Sequence, residues 1–345
     1  MAMFVPPPSR VAKVAVGGKE GGQVRPWQDL TPQGRTRRLR ALVLAALAEY
    51  PLQVRRIRPV SGHLNMIFRV DAADGHTFAV RVARPGWRTE ADLHAEARWL
   101  GALASEMDIG APVVLRTRSG EPFLTAAAGG VPQARRCLVT SWIPGRQLAR
   151  DLSPTNLRRF GELSARLHRH AASWHVPPDL HPVRADRLYA RGEPAVLRGE
   201  VFDAAAERVT AELATLRVGP APPRLIHCDL NQDNVHIDGD GLRPLDFEDV
   251  VLGYPVQDIA MTFQDLLFYT ELHAEGYARA RAAFADGYTR WAPWPEQHPA
   301  QIDTFIAGRL LWRANYAARL QPGTGFQDWA GERLRGFLST GAVRA

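Results

Sequence analysis

Three side chains in this chain, Asp229, Asn234 and Asp246, have the oxygen donors and the spacing to hold a hard cation against a phosphate. Asp229 and Asn234 lie five apart in the order H-x-D-x-x-x-x-N, and Asp246 follows twelve residues after Asn234 with Phe247, Glu248 and Asp249 behind it. Carboxylate and amide oxygens are the ligands Mg2+ takes, usually in company with substrate phosphates. The elements that must position them are short. Leu225 and Ile226 read as the end of a strand, Val235 to Ile237 as the start of another, Asp238-Gly239-Asp240-Gly241 as a hairpin turn, and Leu242 to Phe247 as the returning strand. That arrangement brings all three side chains to one edge of a small hairpin.

The stretch resembles the catalytic loop of protein kinases, and more closely that of the aminoglycoside phosphotransferase and choline kinase superfamily. That superfamily reads H-G-D-x-x-x-x-N, then a hydrophobic residue, D-F and an acidic residue. Cys228 stands where the family has glycine, and Glu248 where protein kinases have glycine. The resemblance implies that Asp229 accepts the proton of an acceptor hydroxyl, that Asn234 and Asp246 hold Mg2+, and that ATP is the co-substrate. It implies an α+β fold of two lobes, a small β-rich N-terminal lobe and a larger helical C-terminal one. The expected boundaries are a disordered extension over 1–28, a nucleotide-binding lobe over 29–143 and a catalytic and acceptor-binding lobe over 144–345.

The N-terminal half fits that frame. Pro6-Pro7-Pro8 and Gly17-Gly18 cannot hold a helix, whereas Thr31 can cap one running to about Tyr50, before Pro51. Strands are expected over Val54–Val60, Met66–Val70 and Thr77–Ala83, with Asp74-Gly75 as a hairpin signal. The turn from Ser61 to Asn65 falls where kinase-like folds cover the phosphates, so Ser61 is a candidate phosphate contact. Phe78-Ala79-Val80-Arg81-Val82 resembles the kinase V-A-I-K strand with arginine in the lysine slot, and Arg84-Pro85-Gly86 continues a resemblance to type II homoserine kinases. The only lysines, Lys13 and Lys19, lie in the extension, so Arg81 is the candidate cation for nucleotide phosphates, meeting them as a bidentate fork. Glu96, on a helix expected from Glu90 to Ala104, is the candidate to orient it, with Glu90 as the alternative. Gly110-Ala111-Pro112 starts a further expected hairpin, with strands near Val113–Arg116 and Pro122–Ala126. The apolar strand Cys137–Trp142 leads into Ile143-Pro144-Gly145, where the resemblance places main-chain contacts to adenine near Ser141 and Ile143.

Helices are expected over Pro154–His170, through 184–217, from Gly253 toward Tyr269, and over most of 276–338. Gly253 to Ala260 resembles the family's G-x-P-x-x-D-x-A, which implies that Asp258 braces the catalytic loop. Ile306, Leu310 and Leu311 should pack one helix, with Arg309 and Arg313 on other faces. His168 and His170 are two apart on a helix and diverge, which argues against zinc.

Composition bounds the function classes. The chain has 345 residues, 46% hydrophobic and 23% charged, which suits an ordinary globular protein of two lobes. No apolar run approaches the roughly 20 residues that span a bilayer. The N-terminus lacks a secretory signal, and two cysteines make no disulfide framework, which fits the cytoplasm. The net charge is +7, but the arginines are spread evenly, which argues against nucleic acid as partner. The reading is thus a kinase acting on a small-molecule hydroxyl acceptor. Asp233, Glu248 and Asp249 favour a cationic or amino-bearing one: an amino alcohol, a homoserine-like amino acid or an aminoglycoside. A stress-response-type Ser/Thr protein kinase and a nucleotide-binding pseudokinase are the alternatives.

Overall fold

The computed structural model describes residues 11–14, 25–61, 65–185, 188, 194–269, 274–320 and 325–344. The chain divides into two compact units, the first running to Glu106 and resuming over Pro112–Ile143, the second comprising Met107–Ala111 and Pro144–Ala345.

The first unit is a six-stranded sheet with a helix on each face. Its strands are β1 (Val11–Val14), β2 (Val54–Ser61), β3 (Met66–Ala72), β4 (Thr77–Val82), β5 (Phe123–Ala128) and β6 (Arg135–Ser141), in the order β1-β5-β6-β4-β3-β2. All neighbours pair antiparallel except β1 with β5. Alternation decides what each face meets. Val80 and Val82 of β4, with Cys137 and Val139 of β6, pack against Leu42, Val43, Ala46 and Leu47 of helix α1 (Pro32–Leu47). Leu138 and Phe123 face the other way and pack against Leu93 of α2 (Glu90–Glu106). Thr31 caps α1 as its sequence suggests, its hydroxyl accepting from the Gly34 N–H at 3.2 Å.

Two expectations fail in this unit. The extension is not without structure throughout, because Val11–Val14 adds a parallel strand along β5. Val113–Arg116 is not a strand of its own hairpin. Val114 makes an isolated bridge to Thr140, and the Leu115 N–H donates to the Val139 carbonyl at 2.9 Å. The edge of β6 explains this: β5 occupies it as far as Leu138, and Val113–Leu115 takes the same edge farther along. Of the expected phosphate-covering turn, residues 62–64 lie outside the described residues.

The second unit is helical with two small sheets. Strand β7 (Arg146–Gln147) leads to α3 (Pro154–Ser173) and α4 (Glu200–Val218). Strands β8 (Arg224–Ile226), β9 (Val235–Asp238), β10 (Gly241–Pro244) and β11 (Val251–Gly253) follow, with sheet orders β10-β9-β7 and β11-β8. Helices α5 (Pro255–Tyr269), α6 (Ala274–Thr289), α7 (Gln301–Leu320) and α8 (Phe326–Thr340) complete it. α3 and α6 cross at two glycines: a Cβ on Gly161 would run into the Phe284 carbonyl, and one on Gly287 into the Arg158 carbonyl.

The helix expected through 184–217 starts only at Glu200. Before it, Arg184 bridges to Leu252, and the N–H groups of Val196 and Leu197 donate to Asn315 Oδ1 instead of to a helical turn. The returning strand of the hairpin also ends early, at Pro244, which has no N–H to continue the ladder.

Candidate active site

The first unit brings Arg81 and Glu96 together. Arg81 is central in β4 with neighbours on both sides, and the alternation that sends Val80 and Val82 to α1 sends Arg81 to the opposite face. There its two terminal nitrogens grip both carboxylate oxygens of Glu96, one at 2.9 Å. Glu96 is buried on α2, and Arg81 keeps 12% of its side chain exposed. Glu90, the alternative partner, lies 3.9 Å from Arg136 instead. Ser61 pairs with Ile67, which pairs with Arg81, so the three share one row across the sheet. Ser141 is committed within the unit: its N–H donates to the Val113 carbonyl at 2.8 Å, and its hydroxyl accepts from the Val113 N–H at 2.9 Å. Ile143, the other candidate adenine contact, is buried at the end of the unit.

The second unit brings the loop residues together. Asn234 Nδ2 donates to the Asp229 carbonyl at 2.9 Å and to Asp229 Oδ2 at 2.7 Å. The Asn231 side chain caps the turn, its Oδ1 accepting from the N–H groups of Asp233 and Asn234. The Leu245 N–H donates to the Asn234 carbonyl at 2.8 Å, which ties the loop to the residue before Asp246. Asp246 sits at φ +55°, in the left-handed region, and opens the 3-10 turn Phe247–Asp249. Cys228 is likewise left-handed, at φ +62°. That conformation is a physical reason for glycine at this position of the family's loop, since a Cβ there costs roughly 1–2 kcal/mol.

A buried network holds the strained loop. Asp258, on the first turn of α5, accepts from the His227 N–H at 3.1 Å and the Cys228 N–H at 2.7 Å. His168 Nε2 meets the same carboxylate at 3.1 Å, and its Nδ1 meets the Tyr288 hydroxyl at 2.9 Å. His227 Nε2 donates to the Leu245 carbonyl at 2.8 Å. Burial pushes the Asp258 carboxyl up, but the hydrogen bond and charge of His168, with His227 and the Cys228 N–H, outweigh it and hold the group below the usual carboxylate range. Burial keeps His227 below its usual value, hence neutral. The Cys228 thiol is pushed by burial up to about 12, so it is no thiolate nucleophile.

Arg309 is the site residue the sequence did not disclose. Far from facing away, it donates from Nη2 to Asp229 Oδ1 at 2.9 Å, while its guanidinium lies over Trp312 at 4.3 Å. Burial pushes Asp229 well above the usual carboxylate range, Arg309 opposes that, and Asp249, Asp265 and Asp246 add to it. Beside Asp229 is a pocket lined by Val209, Leu213, Met261, Phe305 and Trp312, with Asp249 and Arg309 as its charged groups. Only the distance along the chain hid Arg309; its surroundings, with Trp312 one helical step away, are ordinary for a guanidinium.

Asn234 and Asp246 suit Mg2+. With Nδ2 turned to Asp229, the Asn234 Oδ1 accepts no hydrogen bond among the described residues, and Asp246 adds a carboxylate. Two oxygen ligands plus phosphates is the coordination Mg2+ favours. The sequence model of the "Phosphotransferase enzyme family" matches residues 56–294, more than half of the chain. The chain belongs to that family. Solved structures share the phosphotransferase's two-lobed, kinase-like fold. An amicoumacin kinase in complex with AMP-PNP, Ca2+ and Ami aligns at TM-score 0.75 and 16% identity, over 91% of this chain and 98% of the other. A microcompartment-associated aminopropanol kinase aligns at 0.71 and 19%, over 88% and 99%. A spectinomycin phosphotransferase in complex with ADP and spectinomycin aligns at 0.53 and 11%, over 88% and 95%. No curated protein matches the sequence. Among the described residues, no helix of the phosphotransferase is long and apolar enough to cross a membrane.

Proposed function

We propose that this phosphotransferase moves the γ-phosphoryl group of ATP to a hydroxyl of a small, amino-bearing acceptor. The observation that carries the reading is the pairing of Asn234 with Asp229, in which Nδ2 holds the carboxylate and the Asn234 Oδ1 accepts no hydrogen bond among the described residues. Residues 29–143 serve as the nucleotide lobe and 144–345 as the catalytic and acceptor lobe. Asn234 and Asp246 would hold Mg2+, which when bound neutralises charge on the nucleotide phosphates. Arg81, gripped by Glu96, contributes a pre-aimed guanidinium to the same task. Asp229 orients the acceptor hydroxyl and takes its proton late in the transfer.

The pocket beside Asp229 supports the acceptor class. Its apolar wall suits a carbon frame, and Asp249 suits an ammonium group. Related folds named for amicoumacin, aminopropanol and spectinomycin point the same way. The test is ADP release from Mg·ATP across amino alcohols, hydroxy amino acids, aminoglycosides and a generic protein, with the Asp229→Ala protein as control. Acceptor-dependent release that the control lacks sustains the reading. Release with the protein alone favours a Ser/Thr protein kinase. ATP binding with silence for every acceptor favours a pseudokinase, and no ATP binding overturns the proposal.

A further inference from the structure

Arg135 opens β6 on the face that α1 covers, in alternation with Cys137 and Val139. It is 7% exposed, its Nη1 is fully buried, and its guanidinium has no hydrogen-bond acceptor among the described residues. An unpaired guanidinium out of water costs several kcal/mol, a cost that natural proteins offset with an anion. Burial accordingly pulls the Arg135 pKa down.

The surroundings say what is missing. Arg135 lines a depression formed by the start of α1, the ends of β2 and β4 and the start of β3. Two further arginines line it, and among the described residues no acidic one does. Arg35 lies on the first turns of α1, where its Nη2 donates to the Gln28 carbonyl at 3.1 Å. Arg84 is exposed at the rim, its backbone pinned by the Asn65 side chain at 3.1 Å. Three arginines lining one concave surface match a group with several charged oxygens, because a guanidinium fork can take two of them. The wall is partly apolar, with Trp27 and Leu39 among its residues. The Arg81–Glu96 pair occupies the other face of the same sheet, while Ser61 and Asn65, the ends of the turn expected to cover the nucleotide phosphates, lie at the edge of the depression, so the test keeps the nucleotide site filled.

We propose that this depression, built around Arg135, is a binding site for a phosphate-bearing small molecule, separate from the nucleotide site. Occupancy pairs Arg135 and ties α1 to the strand ends, so the ligand stabilises the first unit. The proposal does not depend on the identity of the phosphoryl acceptor or on turnover.

The test uses the full chain saturated with Mg·AMP-PNP and inorganic phosphate as the probe, against chloride at matched ionic strength. Calorimetry should show phosphate binding, and the thermal midpoint should rise above that in chloride. Arg135→Met should weaken phosphate binding by about tenfold or more, the loss of a charge-assisted contact. In phosphate-free buffer the same variant should unfold no earlier than the natural chain, because it removes a buried unpaired charge. Arg84→Ala, at an exposed position, should weaken binding less while leaving the fold alone. The proposal is overturned if Arg135→Met and Arg84→Ala bind phosphate as the natural chain does. It is equally overturned if AMP-PNP abolishes phosphate binding, or if phosphate adds nothing beyond chloride.

Discussion

The two halves of the proposed phosphotransfer machinery are built by opposite means. Arg81 and Glu96 stand on a central strand and a regular helix, so a lattice of backbone hydrogen bonds fixes each before the ion pair forms. The loop from His227 to Asn234 has no such lattice. It passes through left-handed Cys228, leads to left-handed Asp246, and needs Asp258 beneath it. One half can lose its polar partner and keep its backbone, whereas the other depends on a buried carboxylate for its shape.

The widest separation should come from Asp229→Ala, which removes the carboxylate and its bonds to Asn234 and Arg309 but keeps the bond from Asn234 to the main-chain carbonyl of residue 229. Turnover should fall by roughly 10²–10⁴-fold with nucleotide affinity retained, read by steady-state rates and calorimetry. Asp258→Ala comes next. It leaves the His227 and Cys228 N–H groups and His168 without their acceptor, and should destabilise the chain by about 3–5 kcal/mol with loss of turnover. Glu96→Ala should cost less stability, about 2 kcal/mol, yet raise the KM for nucleotide several-fold because Arg81 loses its aim. If denaturant unfolding showed the two deletions equally disruptive, the contrast between the halves would be lost.

Acid should expose the same difference. The Asp258 carboxyl is depressed in the native state, so its stabilisation is complete above about pH 4 and is lost as pH falls through the native value. His227 is kept neutral, so the unfolded chain takes up a proton the native ring refuses once pH drops below about 6.5. Stability should therefore decline on acidification from about pH 6.5, and Asp258→Asn should flatten the steepest, most acidic part. The smallest effect should be that of Cys228→Gly. It relieves the left-handed strain at the expense of unfolded-state entropy and should raise stability by about 0.5 kcal/mol, with activity kept.

What the sequence made legible follows the same division. Arg81 and its pairing with Glu96 are readable through the resemblance to the kinase V-A-I-K strand and its helix carboxylate, with Glu90 left as the alternative. Asp229, Asn234 and Asp246 are readable because a short hairpin must bring them close. Asp258 is readable only through its resemblance to a family position, since nothing in a helix-start aspartate distinguishes a brace from a cap. Arg309 was illegible: its contact spans 80 positions and depends on how α7 packs. The irregular stretch before Glu200 was misread for a related reason, because the Asn315 side chain, from far along the chain, claims the N–H groups a helix would have used.

The glycine crossing of α3 and α6 sets a tolerance. His168 on α3 and Tyr288 on α6 meet at 2.9 Å only because Gly161 and Gly287 let the two backbones approach, and from there His168 reaches Asp258. The crossing works like a clamped bearing, in which neither shaft can slide without unseating the pin between them. Loop geometry is thereby inherited from a joint more than fifty residues away in sequence. Drift in α4 leaves that joint untouched, so one wall of the pocket beside Asp229 can change while the loop keeps its shape, whereas α7 is tied to the loop through Arg309.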